Sequence, residues 1–137
     1  MWLVLGLALT LAWRRWQPFA LVVLADAAAD GLAGLLKAAV GVERPHEAHD
    51  LLALPHSKSF PSGHSATSFA CATILAFLLP RAAPAFYLLA AAIAYSRLYV
   101  GVHWPTDVIA GAALGVVTAL LLRAAIRTRS VRGPRRG

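Results

Sequence analysis

Three cationic side chains in this sequence fall near the ends of apolar runs. They are Lys37, Arg44 and Arg97. Arginine presents a planar fork of N–H donors that matches the oxygens of a phosphate, and lysine adds a point charge. Because a cation buried near a bilayer is costly unless an anion is expected beside it, the three together indicate an oxyanion-binding site.

The segment Pro61-Ser62-Gly63-His64 opens another apolar run and has a second feature suited to an anion. Ser62 is predicted to be the N-cap of the helix that follows. The backbone N–H groups around Gly63 and His64 then lie at the positive end of the helix dipole, where anions bind. Gly63 lets that backbone approach a ligand closely because it has no Cβ.

Two histidines and one carboxylate could supply the reactive groups. His103 and Asp107 are four residues apart around a predicted helix start. If the carboxylate accepts a hydrogen bond from one ring nitrogen of His103, it fixes the tautomer of the ring. The other ring nitrogen can then attack phosphorus. His64 can then protonate the leaving oxygen and later activate a water molecule. The cations would stabilise the charge on the oxygens in the transition state.

The composition places these residues in a membrane protein of one domain. The chain has 137 residues, of which 59% are hydrophobic, and a mean hydropathy of +0.66. Its 13 basic residues outnumber 6 acidic ones, but they flank apolar runs and do not form one face of a soluble scaffold, so nucleic-acid binding is disfavoured. Cys71 is the single cysteine, so neither an internal disulfide nor a cysteine metal cluster is expected.

The apolar runs predict the helices that position the site. They cover residues 1–12, 19–42, 64–79, 85–100 and 106–122. The first run is too short to span a bilayer, and the third and fourth are near the lower limit. The second contains Asp26, Asp30 and Lys37, and intramembrane charges normally face the bundle interior or a wet cavity. The pair Gly111 and Gly115 predicts close packing of the last helix.

The distribution of charge predicts an orientation in the membrane. If the runs alternate in direction, nine basic residues fall on one side and four on the other. By the positive-inside rule the side with nine is cytoplasmic, so the histidines face the extracytoplasmic side. We therefore expect a multi-pass protein of the cell (plasma) membrane.

Three blocks of the sequence resemble the signature motifs of the type 2 phosphatidic acid phosphatase superfamily. They are Lys37-x6-Arg44-Pro45, Pro61-Ser62-Gly63-His64 and Ser96-Arg97-x5-His103-x3-Asp107. That superfamily includes membrane lipid phosphatases and is related to vanadium haloperoxidases. Each block alone would be a weak signal, but three in order and at the family's spacing are strong. The resemblance covers Lys37 to Asp107, roughly half of the chain.

The resemblance implies an all-α helical bundle and a metal-independent reaction through a phosphohistidine, with no cofactor. Together with the five apolar runs, this predicts a polytopic transmembrane bundle of about five helices. The resemblance implies His103 as the nucleophile, Asp107 as the residue that orients it and His64 as the acid. It also implies a phosphate site formed by five residues: Lys37, Arg44, Ser62, Gly63 and Arg97. Residues 1–137 would form a single domain, with a short apolar segment at 1–16, a catalytic bundle at 19–122 and a frayed basic cytoplasmic tail at 123–137.

The chain departs from the family pattern in two places. Membrane members usually have six spans, whereas about five are counted here, which leaves open whether an N-terminal helix is missing. His46 also stands where many relatives have a second arginine, which bears on headgroup preference.

Several alternatives stay open at this stage. An undecaprenyl-diphosphate-like carrier is the first choice of substrate, ahead of phosphatidate, phosphatidylglycerol phosphate and a polyprenyl-phosphate sugar phosphate. A non-catalytic lipid-phosphate-binding protein is the alternative outside the enzymes, and the oligomeric state is left open. A metal site formed by the histidines of residues 46–56 is disfavoured because their spacing is not that of a ligand set.

Four residues have predicted roles outside the motifs. We expect Asp30 to orient Lys37, with which it shares a helix face, and a role in helix packing is the open alternative. Trp2, Trp13 and Trp16 are expected to be interfacial anchors.

Overall fold

The computed structural model describes residues 1–43 and 58–131, which form five α-helices and no strand. The helices are α1 (Trp2–Trp13), α2 (Gln17–Val40), α3 (Gly63–Leu78), α4 (Ala83–Tyr99) and α5 (Pro105–Val131), and a 3₁₀ turn lies at Pro80–Ala82. This is the predicted all-α architecture. Pro105 occupies the first position of α5, where its missing N–H costs nothing and its fixed φ suits a helix.

The helix α3 lies at the centre of the bundle and packs against all four other helices. Most of its residues are small, and those from Ala70 to Leu75 are all buried. Small side chains let the neighbouring backbones approach closely in a setting where lipid offers no hydrophobic force between helices. The residues that begin α3 are therefore surrounded by the ends of other helices.

Contacts along α3 give the directions of its neighbours. Gly63 lies beside Asp30 of α2 and Cys71 lies beside Val22, so α2 runs antiparallel to α3. At the start of α3, Ser62 lies beside Gly111 of α5, and at its end Phe77 lies beside Arg123. The helices α3 and α5 therefore run parallel.

This topology brings the signature residues to one end of the bundle. The end of α2, the start of α3, the end of α4 and the start of α5 all lie there, because short connections join α3 to α4 and α4 to α5. We call this the signature end. The turn between α1 and α2, the 3₁₀ turn and the end of α5 lie at the other, distal end.

Close contact between α3 and α5 depends on Gly111 and Gly115. A Cβ added to Gly111 would collide with the carbonyl oxygen of Ser62, and one added to Gly115 would collide with that of Ala66. No larger residue fits without separating the helices. The predicted close packing of the last helix through this glycine pair is confirmed.

Within residues 1–43 and 58–131, two helices are long and apolar enough to cross a bilayer. They are Gln17–Val40 and the Pro105–Thr128 part of α5, each with 24 residues. At a rise of about 1.5 Å per residue, each is roughly 36 Å long, against a hydrocarbon core of about 30 Å. The helix α3 has 16 residues and α4 has 17, which agrees with the prediction that both are near the lower limit for spanning.

Two expectations from the sequence are wrong. The sequence predicts a frayed tail at 123–137, but α5 continues to Val131, and residues 132–137 lie outside the described part of the chain. Alanine, arginine and isoleucine sustain the helix although the apolar run has ended. Trp2 was expected at the membrane interface, but it is buried and its Nε1 donates to Ser68 Oγ at 3.2 Å. A buried indole needs an acceptor for its N–H, and α3 provides one inside the bundle.

Candidate active site

A buried histidine–carboxylate pair lies at the start of α5. Nδ1 of His103 is 3.4 Å from Oδ2 of Asp107, and the two side chains are 4% and 1% exposed. The same Oδ2 accepts a hydrogen bond from the backbone N–H of Trp104 at 2.9 Å. The distance from Nδ1 is long for a hydrogen bond, but catalytic hydrogen bonds are often long without substrate. With Nδ1 directed at the carboxylate, Nε2 is the ring nitrogen that faces away from Asp107.

The loop that precedes α3 is bonded directly to this pair. The backbone N–H of Ser62 donates to the carbonyl oxygen of Asp107 at 2.9 Å. Ser62 is the N-cap of α3, as predicted, but its hydroxyl makes no capping hydrogen bond to the helix. Two of the three signature blocks therefore meet through a main-chain contact that does not depend on side-chain rotamers.

Three buried polar atoms near this contact have no hydrogen-bond partner among residues 1–43 and 58–131. They are Oγ of Ser62, Oγ of Ser65 and Oδ1 of Asp107. An unsatisfied buried polar group costs about 1–3 kcal/mol, so such groups usually meet water or a ligand. The hydroxyl of Ser62 is available as a donor to an incoming oxyanion.

Ser65 is a candidate that the sequence reasoning missed. It lies three residues after Ser62, so the two hydroxyls share a face of α3, and its Cβ would be 3.0 Å from a Cβ at Gly111. The signal was present in the sequence as the serine pair that brackets Gly63 and His64. The signature block ends at His64 and does not include Ser65.

Lys37 lies at the same end of the bundle, in the last turn of α2. Its Nζ donates to the backbone carbonyl of Lys58 at 3.1 Å, which ties α2 to the segment that precedes α3. Asp30 lies seven residues before Lys37 in α2. A Cβ added to Gly63 would be 3.6 Å from Oδ1 of Asp30. The contact seen for Asp30 is thus with the start of α3, and its predicted effect on Lys37 stays a prediction.

Arg97 occupies the last turn of α4, six residues before His103. It is half-buried, and its Nε donates to Ser96 Oγ at 3.3 Å. Between α4 and α5 the chain turns at Gly101, whose φ of +72° is a left-handed conformation that glycine adopts without strain. Arg97 therefore lies at the signature end of the bundle, as predicted. Its contact with a phosphate stays a prediction.

Of the remaining signature residues, the structure describes His64 but not Arg44 and Pro45. His64 follows Gly63 in the first turn of α3 and is exposed, so its ring is accessible to a ligand at this end. Arg44 and Pro45 lie outside the described residues, as do His46 and the other histidines of the disfavoured metal site. The roles assigned to the signature residues, including the phosphate contacts of Gly63, remain predictions.

An apolar helical bundle with a histidine–carboxylate pair beside a helix N-terminus is the arrangement that the family resemblance predicted. The profile of the PAP2 superfamily matches residues 4–130. The chain belongs to this superfamily.

Individual relatives agree with this assignment. The chain is 44% identical over 98 residues to a lipid A 1-phosphatase of Rhizobium johnstonii, over 66% of this chain and 40% of the relative. It is 35% identical over 128 residues to a decaprenylphosphoryl-5-phosphoribose phosphatase of Mycobacterium tuberculosis, over 88% of this chain and 69% of the relative. The chain thus spans less than half the length of the first of these relatives.

A solved structure supports the fold independently. The crystal structure of a transmembrane PAP2-type phosphatidylglycerolphosphate phosphatase of Bacillus subtilis superposes with a TM-score of 0.67 at 26% identity. The match covers 93% of this chain and 67% of that one. The bundle is therefore a membrane protein fold, as the two long apolar helices also indicate.

Proposed function

We propose that the protein is an integral membrane phosphatase that removes the terminal phosphate of a lipid phosphate or diphosphate through a phosphohistidine intermediate. The observation that carries this proposal is the buried pair of His103 and Asp107, joined through a backbone hydrogen bond to Ser62 at the start of α3. That arrangement supports a role for His103 as the nucleophile, with Asp107 fixing its tautomer, and a role for the N-terminus of α3 in binding the anion.

In the first step, Nε2 of His103 attacks phosphorus and the bond from phosphorus to the leaving oxygen breaks. The leaving oxygen takes a proton from His64, and the phosphoryl group stays on His103. Asp107 stabilises the positive charge that develops on the imidazole, because its Oδ2 faces Nδ1. The buried position of the pair strengthens this interaction, since few water molecules screen it.

In the second step, water attacks the phosphohistidine. His64 now accepts the proton of the water molecule, the bond from nitrogen to phosphorus breaks, and inorganic phosphate leaves. The proton that His64 gives up in the first step is thus regained from water in the second. Both histidines return to their starting protonation states.

The phosphate site supplies the charge stabilisation for both steps. Lys37, Arg44 and Arg97 contribute positive charge, and the N-terminus of α3 at Ser62 and Gly63 contributes backbone N–H donors. The hydroxyl of Ser62, which has no partner within the described part of the chain, supports this assignment. No metal ion is required for these steps, so we propose a metal-independent reaction.

The first candidate substrate is an undecaprenyl-diphosphate-like carrier. We propose that the protein is in the plasma membrane with the signature end on the extracytoplasmic side, because the distal end carries more basic residues. A site on that side suits recycling of a carrier lipid. Lipid A 1-phosphate is the second candidate, and the identity of 44% to a lipid A 1-phosphatase favours it.

Phosphate release from purified protein in detergent tests the proposal. A panel of undecaprenyl diphosphate, lipid A, phosphatidate and phosphatidylglycerol phosphate is assayed with EDTA present. We expect turnover by the wild type and loss of turnover, with retained lipid binding, in His103→Ala. Leu35→Ala is the matched control, because Leu35 is exposed on α2, and it should keep the wild-type rate.

Two outcomes would contradict the proposal. A wild-type protein that binds these lipids without releasing phosphate would be the non-catalytic alternative. Full activity of His103→Ala would show that another group is the nucleophile.

A further inference from the structure

A concave site lies at the distal end of the bundle, between α2, α3 and α5. This distal cleft has a volume of about 230 Å³. Five of its lining residues are apolar and two are arginines: Leu21, Ile74, Phe77, Leu78, Ile126, Arg123 and Arg127. An engineered apolar cavity of about 150 Å³ is large enough to bind benzene, so this volume can hold a segment of an acyl chain.

The two arginines form the polar side of the cleft. Cζ of Arg123 is 3.8 Å from the centroid of the Phe77 ring, so a cation–π contact holds the guanidinium in place. A guanidinium that stacks on a ring keeps its N–H donors directed outward in its own plane. Arg127 lies one turn later on the same helix face. Together they present donors that match the oxygens of a phosphate group.

The charges around the cleft favour an anionic occupant. Arg14, Arg15 and Arg81 also lie at the distal end, in the two turns between helices. No carboxylate of the described residues lines the cleft. The segment after α5 is itself basic, with Arg132, Arg135 and Arg136, so like charges disfavour it as the occupant.

The position of the cleft indicates which kind of anionic molecule could occupy it. The cleft lies at the ends of helices in a membrane protein, where phosphate headgroups and the first methylenes of acyl chains meet. We propose that the distal cleft binds an anionic phospholipid of the bilayer, with one acyl chain along Leu21, Ile74 and Ile126 and the phosphate at Arg123 and Arg127. This site is separate from the signature end and does not depend on the phosphatase activity.

Native mass spectrometry of the full chain in detergent tests the proposal. Dioleoylphosphatidylglycerol is titrated as the anionic probe and dioleoylphosphatidylcholine as the zwitterionic one. We expect one tightly bound phosphatidylglycerol and at least fivefold weaker binding of phosphatidylcholine. A basic residue near a membrane surface contributes enough attraction for Arg127→Gln to weaken phosphatidylglycerol binding by about fivefold.

Two further variants distinguish a specific lipid-binding site from nonspecific attraction of anionic lipid to a basic surface. Arg81→Gln removes a charge at the same end without touching the cleft, and it should change the affinity less than twofold. Ile126→Trp fills the cleft and keeps both arginines, and it should abolish the bound phosphatidylglycerol. Because Ile126 is 42% exposed, the larger side chain does not require the core to be rebuilt. The Tm of each variant confirms that it is folded.

Three results would overturn the proposal. Equal binding of the two phospholipids would remove the role of charge. Equal effects of Arg81→Gln and Arg127→Gln, with no effect of Ile126→Trp, would show a diffuse surface interaction. The third result is a dimer that persists when phosphatidylglycerol is added but dissociates in Ile126→Trp. It would show that a second copy of the chain occupies the cleft.

Discussion

The close contact between α3 and α5 predicts that Gly115→Ala destabilises the protein. A Cβ at residue 115 would be 2.8 Å from the backbone nitrogen of Ala70, and it would collide with the carbonyl oxygen of Ala66. Ordinary contact begins at 3.4 Å, so α3 must move by at least 0.6 Å (3.4 − 2.8) at this level. Overpacking of this kind costs about 1–3 kcal/mol.

Gly34→Ala is the matched control for this substitution. Gly34 lies within α2, and a Cβ there would meet nothing within 4 Å. Both variants gain the same helix propensity, about 1 kcal/mol for alanine over glycine. The difference between them is therefore the cost of the collision alone, about 1–3 kcal/mol.

Thermal unfolding in detergent measures this difference. For a chain of this size, 1 kcal/mol corresponds to roughly 2–8 °C in Tm. We expect Gly34→Ala to unfold at or above the wild-type Tm and Gly115→Ala several degrees below Gly34→Ala. Because α3 and α5 carry the two sides of the Ser62–Asp107 hydrogen bond, Gly115→Ala should also lower phosphate release by about tenfold.

A Tm of Gly115→Ala equal to or above that of Gly34→Ala would refute this reasoning. It would mean that α3 and α5 are not held in contact at Gly115. The parallel packing that brings Ser62 to Asp107 would then lose its structural basis.

Three other predictions follow from the site and the core. Asp107→Asn should reduce kcat at least about 100-fold, because the amide cannot stabilise a positively charged His103, and an unchanged kcat in steady-state phosphate release would contradict this. Trp2→Phe should lower the free energy of unfolding by about 1–3 kcal/mol in thermal unfolding, because it leaves the Ser68 hydroxyl without its donor. Adding Ser68→Ala should recover part of that loss, and a double variant less stable than the single one would argue against the hydrogen bond. Prolonged incubation with EDTA should leave the rate of phosphate release unchanged, whereas a loss that Mg²⁺ or Zn²⁺ restores would disprove metal independence.

The sequence was sufficient to predict that the signature residues lie at one end of the bundle, as those that the structure describes do. The signature residues fall at the ends of apolar runs, and short connections such as the turn around Gly101 force neighbouring helices to alternate in direction. The pair Gly111 and Gly115 also predicted a close helix contact, because glycine at a spacing of four leaves one side of a helix without side chains.

Other features depend on tertiary contacts that no local pattern encodes. The burial of Trp2 depends on α1 lying across α3 so that Ser68 can accept its N–H. The contact of Asp30 with Gly63 depends on how far α2 is shifted along its axis relative to α3. Hydropathy also placed the end of the last helix too early, because it measures affinity for lipid and does not measure helix propensity.

Identification of the phosphorylated residue during turnover tests the central claim most directly. Purified protein is mixed with a lipid substrate that carries a radiolabelled terminal phosphate, quenched within the first turnover and digested for peptide mapping. We predict label on His103, and no labelled peptide from His103→Ala. Label on His64, or turnover of the wild type with no labelled residue at any time, would contradict the account.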